Sequence, residues 1–193
     1  MIAFESFDRI WFLTWTTYGT WLPGDSRGFV SPKFEGDVPE RRNNVVGTPY
    51  DQGRPELRTL ALSKLVGEPV WLSGDHANIL RQQFEETAKY RSWTVVAGAI
   101  MSNHIHLVVG VSGDPDPSNL LRDFKSYGSR ALNRLFPKPA STTWWTEQGS
   151  KRKVQDQRHL DRVVNYVLKQ ANPLMVWANV QGADAPRPQG EYS

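Results

Sequence analysis

Residues 99–111 read AIMSNHIHLVVGV, and the fold turns on this stretch. His104 and His106, two of the chain's four histidines, stand two apart inside an apolar run. On a β-strand that spacing places both rings on one face, about 6.5–7 Å apart at the backbone. Ile105, Leu107, Val109 and Val111 then point to the other face, where a core can bury them. Just upstream, WTVVAGAIM (93–101) is a second β-branched run, and the short Ser102-Asn103 link joins the two as a hairpin. One side of the strand is oily; the other carries two imidazoles able to hold a divalent metal between them. Two half-buried histidines packed without a metal would satisfy the same pattern, so the rest of the chain has to arbitrate.

Outward from the hairpin, two helical periodicities flank it. Asp75 is placed to cap a helix running to about Arg91, with Ile79, Leu80, Phe84 and Ala88 on one face. After the breaker GDPDP (113–117), Ser118 or Asn119 opens a helix to about Phe136. Its apolar stripe is Leu120, Phe124, Tyr127, Ala131 and Leu135, and its outer face carries Arg122, Lys125, Arg130 and Arg134. IWFLTWTTY (10–18) reads as a first strand and STTWWT (141–146) as a fourth. A last helix, about 156–171, buries Leu160, Val163, Val164, Val167, Leu168 and Ala171 and stops at Asn172-Pro173. The order β, α, β, β, α, β predicts an α+β, ferredoxin-like split βαβ fold. It is an antiparallel four-stranded sheet with helices on one face, plus an extra C-terminal helix.

Length and composition bound the rest. The 193 residues suffice for one domain with a proper core, expected over 1–181. Between Thr20 and Gly74 lie seven Gly and six Pro, with only Leu57–Val66 offering a short helix. A connection of that length marks a functional loop or an insertion. The polar tail, 182–193, is expected to be disordered. Having no cysteine, the chain can build neither disulfides nor thiolate metal sites. The N-terminus lacks the basic start of a signal peptide and no run is long enough to span a bilayer, so a cytoplasmic location without membrane partners is expected. Net charge is +3, yet Ser118–Arg158 holds nine bases against three acids. Arg122, Lys125, Arg130, Arg134, Lys151, Arg152, Lys153 and Arg158 are therefore candidate contacts to a phosphate-rich ligand. A solvated basic surface would look the same on charge alone.

A second constellation sits on the last helix. Tyr166 and Gln170 are four apart and lie one turn above each other at the flank of the apolar stripe, with Arg162 and His159 along the same edge. A free phenol titrates near 10 and needs help to act as a nucleophile at neutral pH. A metal held by His104 and His106 can supply it by polarising a phosphate oxygen, and the Gln170 amide oxygen can complete the shell. The phenolate would displace a 3′ hydroxyl and remain on a 5′ phosphate, conserving the bond for rejoining. No nucleotide-binding P-loop is needed, and the sequence has none. Tyr127 is the rival nucleophile. It falls on a core stripe and has no ligand partner at i+4.

With the NHIHLVV strand (103–109), the basic helix LLRDFKSYGSRALNRLF (120–136) and VVNYVLKQANP (163–173) in that order, the chain resembles the HUH single-tyrosine transposases of small insertion sequences and the REP-associated tyrosine transposases. The likeness covers 10–18 and about 76–175. It implies metal-assisted cleavage and rejoining of single-stranded DNA at hairpin-bearing ends. Tyr166 would be the catalytic nucleophile and His104, His106 and Gln170 would be ligands to Mg²⁺ or Mn²⁺. Asn103, His159 and Arg162 would support them from behind. REP-associated members place Asn-Pro four and five residues after the tyrosine, whereas here Asn172 and Pro173 follow at six and seven. The Gln at i+4 instead matches the insertion-sequence branch, whose homodimers share active sites between subunits, so both branches stay open. Two other function classes compete: a domesticated hairpin-DNA binder that does not cut, and a metal hydrolase of small phosphoesters. The binder has no need of the His-His-Tyr-Gln set, and the hydrolase calls for carboxylates nearer the histidines than Asp114 and Asp116.

Overall fold

The computed structural model describes residues 3–26, 33–35, 38–40 and 53–179. The expected disorder of 182–193 and the middle of the 20–74 segment lie outside the described residues. In chain order the elements are β1 (Arg9–Thr16), β2 (Lys33–Glu35), β3 (Val38–Glu40), α1 (Pro55–Ser63) and α2 (Gly74–Tyr90). They continue with β4 (Thr94–Ile100), β5 (His104–Val111), α3 (Pro117–Leu135), β6 (Ser150–Val154), α4 (Gln157–Leu168) and β7 (Met175–Ala178). The main sheet is antiparallel with strand order β6-β1-β5-β4-β7, and β2 pairs with β3 separately. Without β7, the path β1-α2-β4-β5-α3-β6 with order 6-1-5-4 is the split βαβ arrangement.

β5 lies second from neither edge but at the centre, and it is buried from Ile105 to Val111. Such a strand reads as a continuous apolar run because both of its faces are covered. On one face α2 and α3 pack over Leu13, Trp15, Ile105, Leu107 and Val109, with Leu80, Phe84, Phe124 and Leu132 completing the core. Full burial of each such side chain contributes about 1.5–3 kcal/mol. On the other face α4 lays Leu160, Val163 and Val167 against Val96, Ala97, Ala99 and Val108. The histidine face is thus not open sheet: its far end is a second core, and only its near end remains for chemistry.

Local chemistry sets the boundaries. α2 is capped by Ser73, not Asp75: the Ser73 hydroxyl accepts from the His76 N–H, and the His76 ring accepts from the Ser73 N–H at 2.9 Å. α3 opens on Asp116 with Pro117 at its first position, and α4 on Asp156. The hairpin closes tightly, the Met101 N–H donating to the His104 carbonyl at 2.8 Å.

Other expectations are corrected as well. α4 ends at Leu168 and not at 171, and Ala171, expected on its buried stripe, is exposed. The fourth strand is Ser150–Val154, not 141–146. Thr142 adopts φ +60 and Ser141 and Thr143 bond within their own turn, so the aromatic segment cannot extend. Its Trp144 and Trp145 plug the core instead, the latter edge-on to Trp15. Leu135, expected on the buried stripe of α3, is exposed, while Leu121, Gly128 and Leu132 are buried. A fifth strand, β7, joins β4 because Gly98 has no side chain: a Cβ there would lie 2.2 Å from the Trp177 ring.

Candidate active site

The register places the site. Thr14 of β1 stands opposite His106, and Thr16 opposite His104. His106 is buried, and its Nδ1 lies 2.8 Å from the Thr14 Oγ1. His104 Nδ1 donates to the Asn103 Oδ1 at 2.7 Å, which leaves the lone pair of the neutral ring on Nε2. The two imidazole centroids are 4.8 Å apart. Burial, reinforced by the neighbouring His104, pushes His106 down to about 3, so it stays neutral at any physiological pH. Its Nε2 is buried and has no hydrogen-bond partner among the described residues.

α4 brings Tyr166 to this pair. Its ring centroid is 5.4 Å from that of His106 and 6.0 Å, edge-on, from Phe12, which in turn lies 5.4 Å from His106. Tyr166 is 53% exposed although it packs on two rings, so one side of the phenol faces the interior of the site and the other the surroundings. All these contacts are made within one chain. Gln170 stands just past the end of α4, its amide N–H donating to the Tyr166 carbonyl at 3.0 Å. A carbonyl only accepts, so the amide oxygen is turned away from that bond.

Among the described residues no group of three or more His, Cys, Asp or Glu could hold a metal. The fit to a divalent ion therefore rests on a different donor set. An orphaned buried imidazole nitrogen is costly unless it is ligated or bonded. Thr14 and Asn103, each on a histidine's Nδ1, occupy the positions that orient ligating imidazoles. Two imidazoles suit a transition ion such as Mn²⁺ better than they suit Mg²⁺, which prefers oxygen ligands throughout. The residues fit the group.

The other candidates divide. Arg122, Arg130 and Arg134 are exposed on α3, Arg130 lying 5.2 Å over the Tyr127 ring. Lys125 corrects the expectation of an outward charge. Its ammonium is tucked under the loop after Trp145, donating to the Thr146 and Glu147 carbonyls at 2.6 and 2.8 Å. Burial lowers it to about 8, with Lys151 adding and Glu147 opposing. Lys151 donates to the Ser118 hydroxyl. Arg152, Lys153, Arg158 and Arg162 are exposed. His159 is spent on the start of α4, where its N–H bonds the Asp156 carboxylate and its ring accepts from the Gln155 N–H. Phe12 and Thr14 are site residues that the sequence reading does not single out. The only signal for them is the alternation F-x-T-x-T in the strand that pairs with the histidines.

The REP-associated tyrosine transposase bound to a REP hairpin is similar at 12% identity, over 87% of this chain and 68% of that one, with a TM-score of 0.45. A Deinococcus radiodurans R1 chain described as a transposase is similar at 13% identity, over 85% of this chain and 92% of that one, with a TM-score of 0.41. Among curated proteins none matches the sequence. The family model described as "Transposase IS200 like" matches residues 68–170, from just before α2 to Gln170. That match spans more than half of the chain and takes in the histidine pair, the basic helix and the tyrosine, so the protein belongs to the IS200-like transposase family.

Proposed function

We propose that the protein cuts and rejoins single-stranded DNA at hairpin-bearing ends through a covalent 5′-phosphotyrosine on Tyr166. The observation that supports it is the Tyr166 ring lying on the buried His106 of its own chain, beside His104. In the forward step the Tyr166 Oη forms a bond to phosphorus as the bond to the 3′ oxygen breaks. The phenol gives up its proton and the departing oxygen gains one, leaving a free 3′ hydroxyl. Attack by a 3′ hydroxyl reverses the step and regenerates the phenol, so no nucleotide is consumed. His104, His106 and Gln170 would hold a divalent ion, Mn²⁺ or Mg²⁺, which when bound stabilises the charge that builds on the phosphate and leaving oxygens. Phe12 and His106 limit the phenol's freedom to swing, and Thr14 and Asn103 keep both imidazoles aimed.

The test uses a pool of labelled hairpins with randomised single-stranded arms, incubated with Mn²⁺ and resolved under denaturing conditions. The parent gives a labelled adduct, whereas Tyr166→Phe folds, still shifts the DNA and gives none. His104→Ala and His106→Ala lose the Mn²⁺-dependent rise in thermal midpoint shown by the parent, since a ligand of the folded state stabilises it by mass action. A shift without adduct in the parent favours a hairpin binder. An adduct that survives Tyr166→Phe overturns the assignment.

A further inference from the structure

The basic run Lys151-Arg152-Lys153 lies on β6, where successive side chains alternate between faces. Arg152 pairs with Phe12, and Ser150 with Thr14. Residues directly opposite in an antiparallel pair share a face, with Cβ atoms about 4.5–5.5 Å apart. Arg152 therefore stands on the histidine face, beside the ring that carries Tyr166. Lys151 goes to the opposite face, where it reaches Ser118 of α3.

That face is covered unequally. α4 packs on β4, β5 and β7. On the strip formed by Phe12, Thr14 and Thr16 of β1 with Ser150 and Arg152 of β6, Phe12 borders the second core and carries Tyr166 of α4, and the Thr16 hydroxyl meets that of Thr146. The first four are half-buried and Arg152 is exposed. Along the facing edge of α4, Arg162 precedes Tyr166 by one turn and is also exposed. The result is a shallow trough. Its floor is one aromatic ring and a row of hydroxyls, its two rims are guanidiniums, and Tyr166 stands at its side.

Resting on the transposase reading above, we propose that this trough is the bed of the single strand that carries the scissile bond. Arg152 grips a backbone phosphate of that strand and positions it for Tyr166. The chemistry fits one occupant. A single strand offers a phosphate every nucleotide for guanidiniums to fork, and bases that stack on an aromatic floor. A duplex would need a wider bed than a strip two strands across and would present no free base to Phe12. The charges on α3 stand on the other side of the sheet from this strand.

Oligo-dT of mixed length with a fluorescent label serves as the probe, its binding measured across a salt series. Arg152→Ala lowers the log–log salt slope by about 0.7, the loss of one single-strand phosphate contact. Arg152→Lys, which keeps the charge, restores it. Lys64→Ala, just past the end of α1 and the same change of net charge elsewhere, leaves the slope at the parent value. Each variant's thermal midpoint is measured alongside, Arg152 being exposed. With the randomised hairpin pool, Arg152→Ala slows adduct formation while hairpin retention persists. An unchanged slope in Arg152→Ala, or an equal fall in Lys64→Ala, overturns the proposal while the transposase reading stands. A parent that neither binds oligo-dT nor forms adduct overturns both.

Discussion

At the scale of single residues, the site is a case of buried polarity with one atom left over. His106 has every reason to be neutral and none to be idle: its Nδ1 is held by Thr14 and its Nε2 is buried without a partner among the described residues. A core that only needed filling would do better with an apolar side chain, since an unsatisfied buried nitrogen costs on the order of 1–3 kcal/mol. Thr14 is the lever that tests this. Thr14→Val keeps the shape of the side chain and removes the hydroxyl that aims the imidazole. If His106 is a ligand, Mn²⁺ affinity falls about 10–100-fold, as for other groups that orient a ligating histidine. The readout is the Mn²⁺ concentration needed to raise the thermal midpoint. An unchanged concentration in Thr14→Val would show that His106 does not depend on its neighbour for that task.

At the scale of elements, α2 carries an acid-sensitive cap. The His76 Nδ1 accepts from the Ser73 N–H, and the ring is wedged between Phe136 at 4.2 Å and Trp144 at 5.3 Å. Burial lowers its pKa from 6.5, Asp75 pulling weakly the other way. Protonation would put an N–H where the cap needs an acceptor. Because the folded-state value is the lower one, the unfolded chain binds more protons below pH 6.5. The contribution is fully present above 6.5 and is lost as the pH falls toward the folded-state value. His76→Gln should flatten the acid limb of stability measured by thermal unfolding, and an acid limb equal to the parent's would refute the role. The same helix shows what was legible in the chain. Its periodicity, the hairpin and the His-x-His spacing are local, so the order of strands and helices and the Tyr166–Gln170 pair could be read directly. The cap at Ser73 could not, because it depends on a histidine acting as acceptor. Nor could Phe12, Thr14 or the facing of Arg152, which exist only once β1 pairs with β5 and β6 across long stretches of chain. STTWWT misled for a related reason: aromatic and β-branched content marks burial, and whether burial comes as a strand or a plug is decided by Thr142 and its neighbours.

At the scale of the whole molecule, the question is how many chains make one active site. Dimers with shared sites take their histidines from one subunit and their tyrosine from the other. Here α4 returns across its own sheet after β6, and Leu160, Val163 and Val167 anchor it on Val96, Ala99 and Val108. That anchoring carries Tyr166 onto the His106 and Phe12 of the same chain. Swinging the tyrosine out to a second subunit would strip those three apolar side chains from their own sheet, at about 1.5–3 kcal/mol each before any is recovered on the partner's sheet. The expectation is a site complete within one chain. Mixing two inactive variants decides it, since Tyr166→Phe keeps the histidines and His106→Ala keeps the tyrosine. In a shared-site dimer, subunit exchange rebuilds one composite site, and the mixture regains adduct on the labelled hairpin pool. In a single-chain site no pairing of the two variants restores it, at any protein concentration. Adduct recovered from the mixture, rising with concentration as dimers form, would show that α4 leaves its own sheet to act.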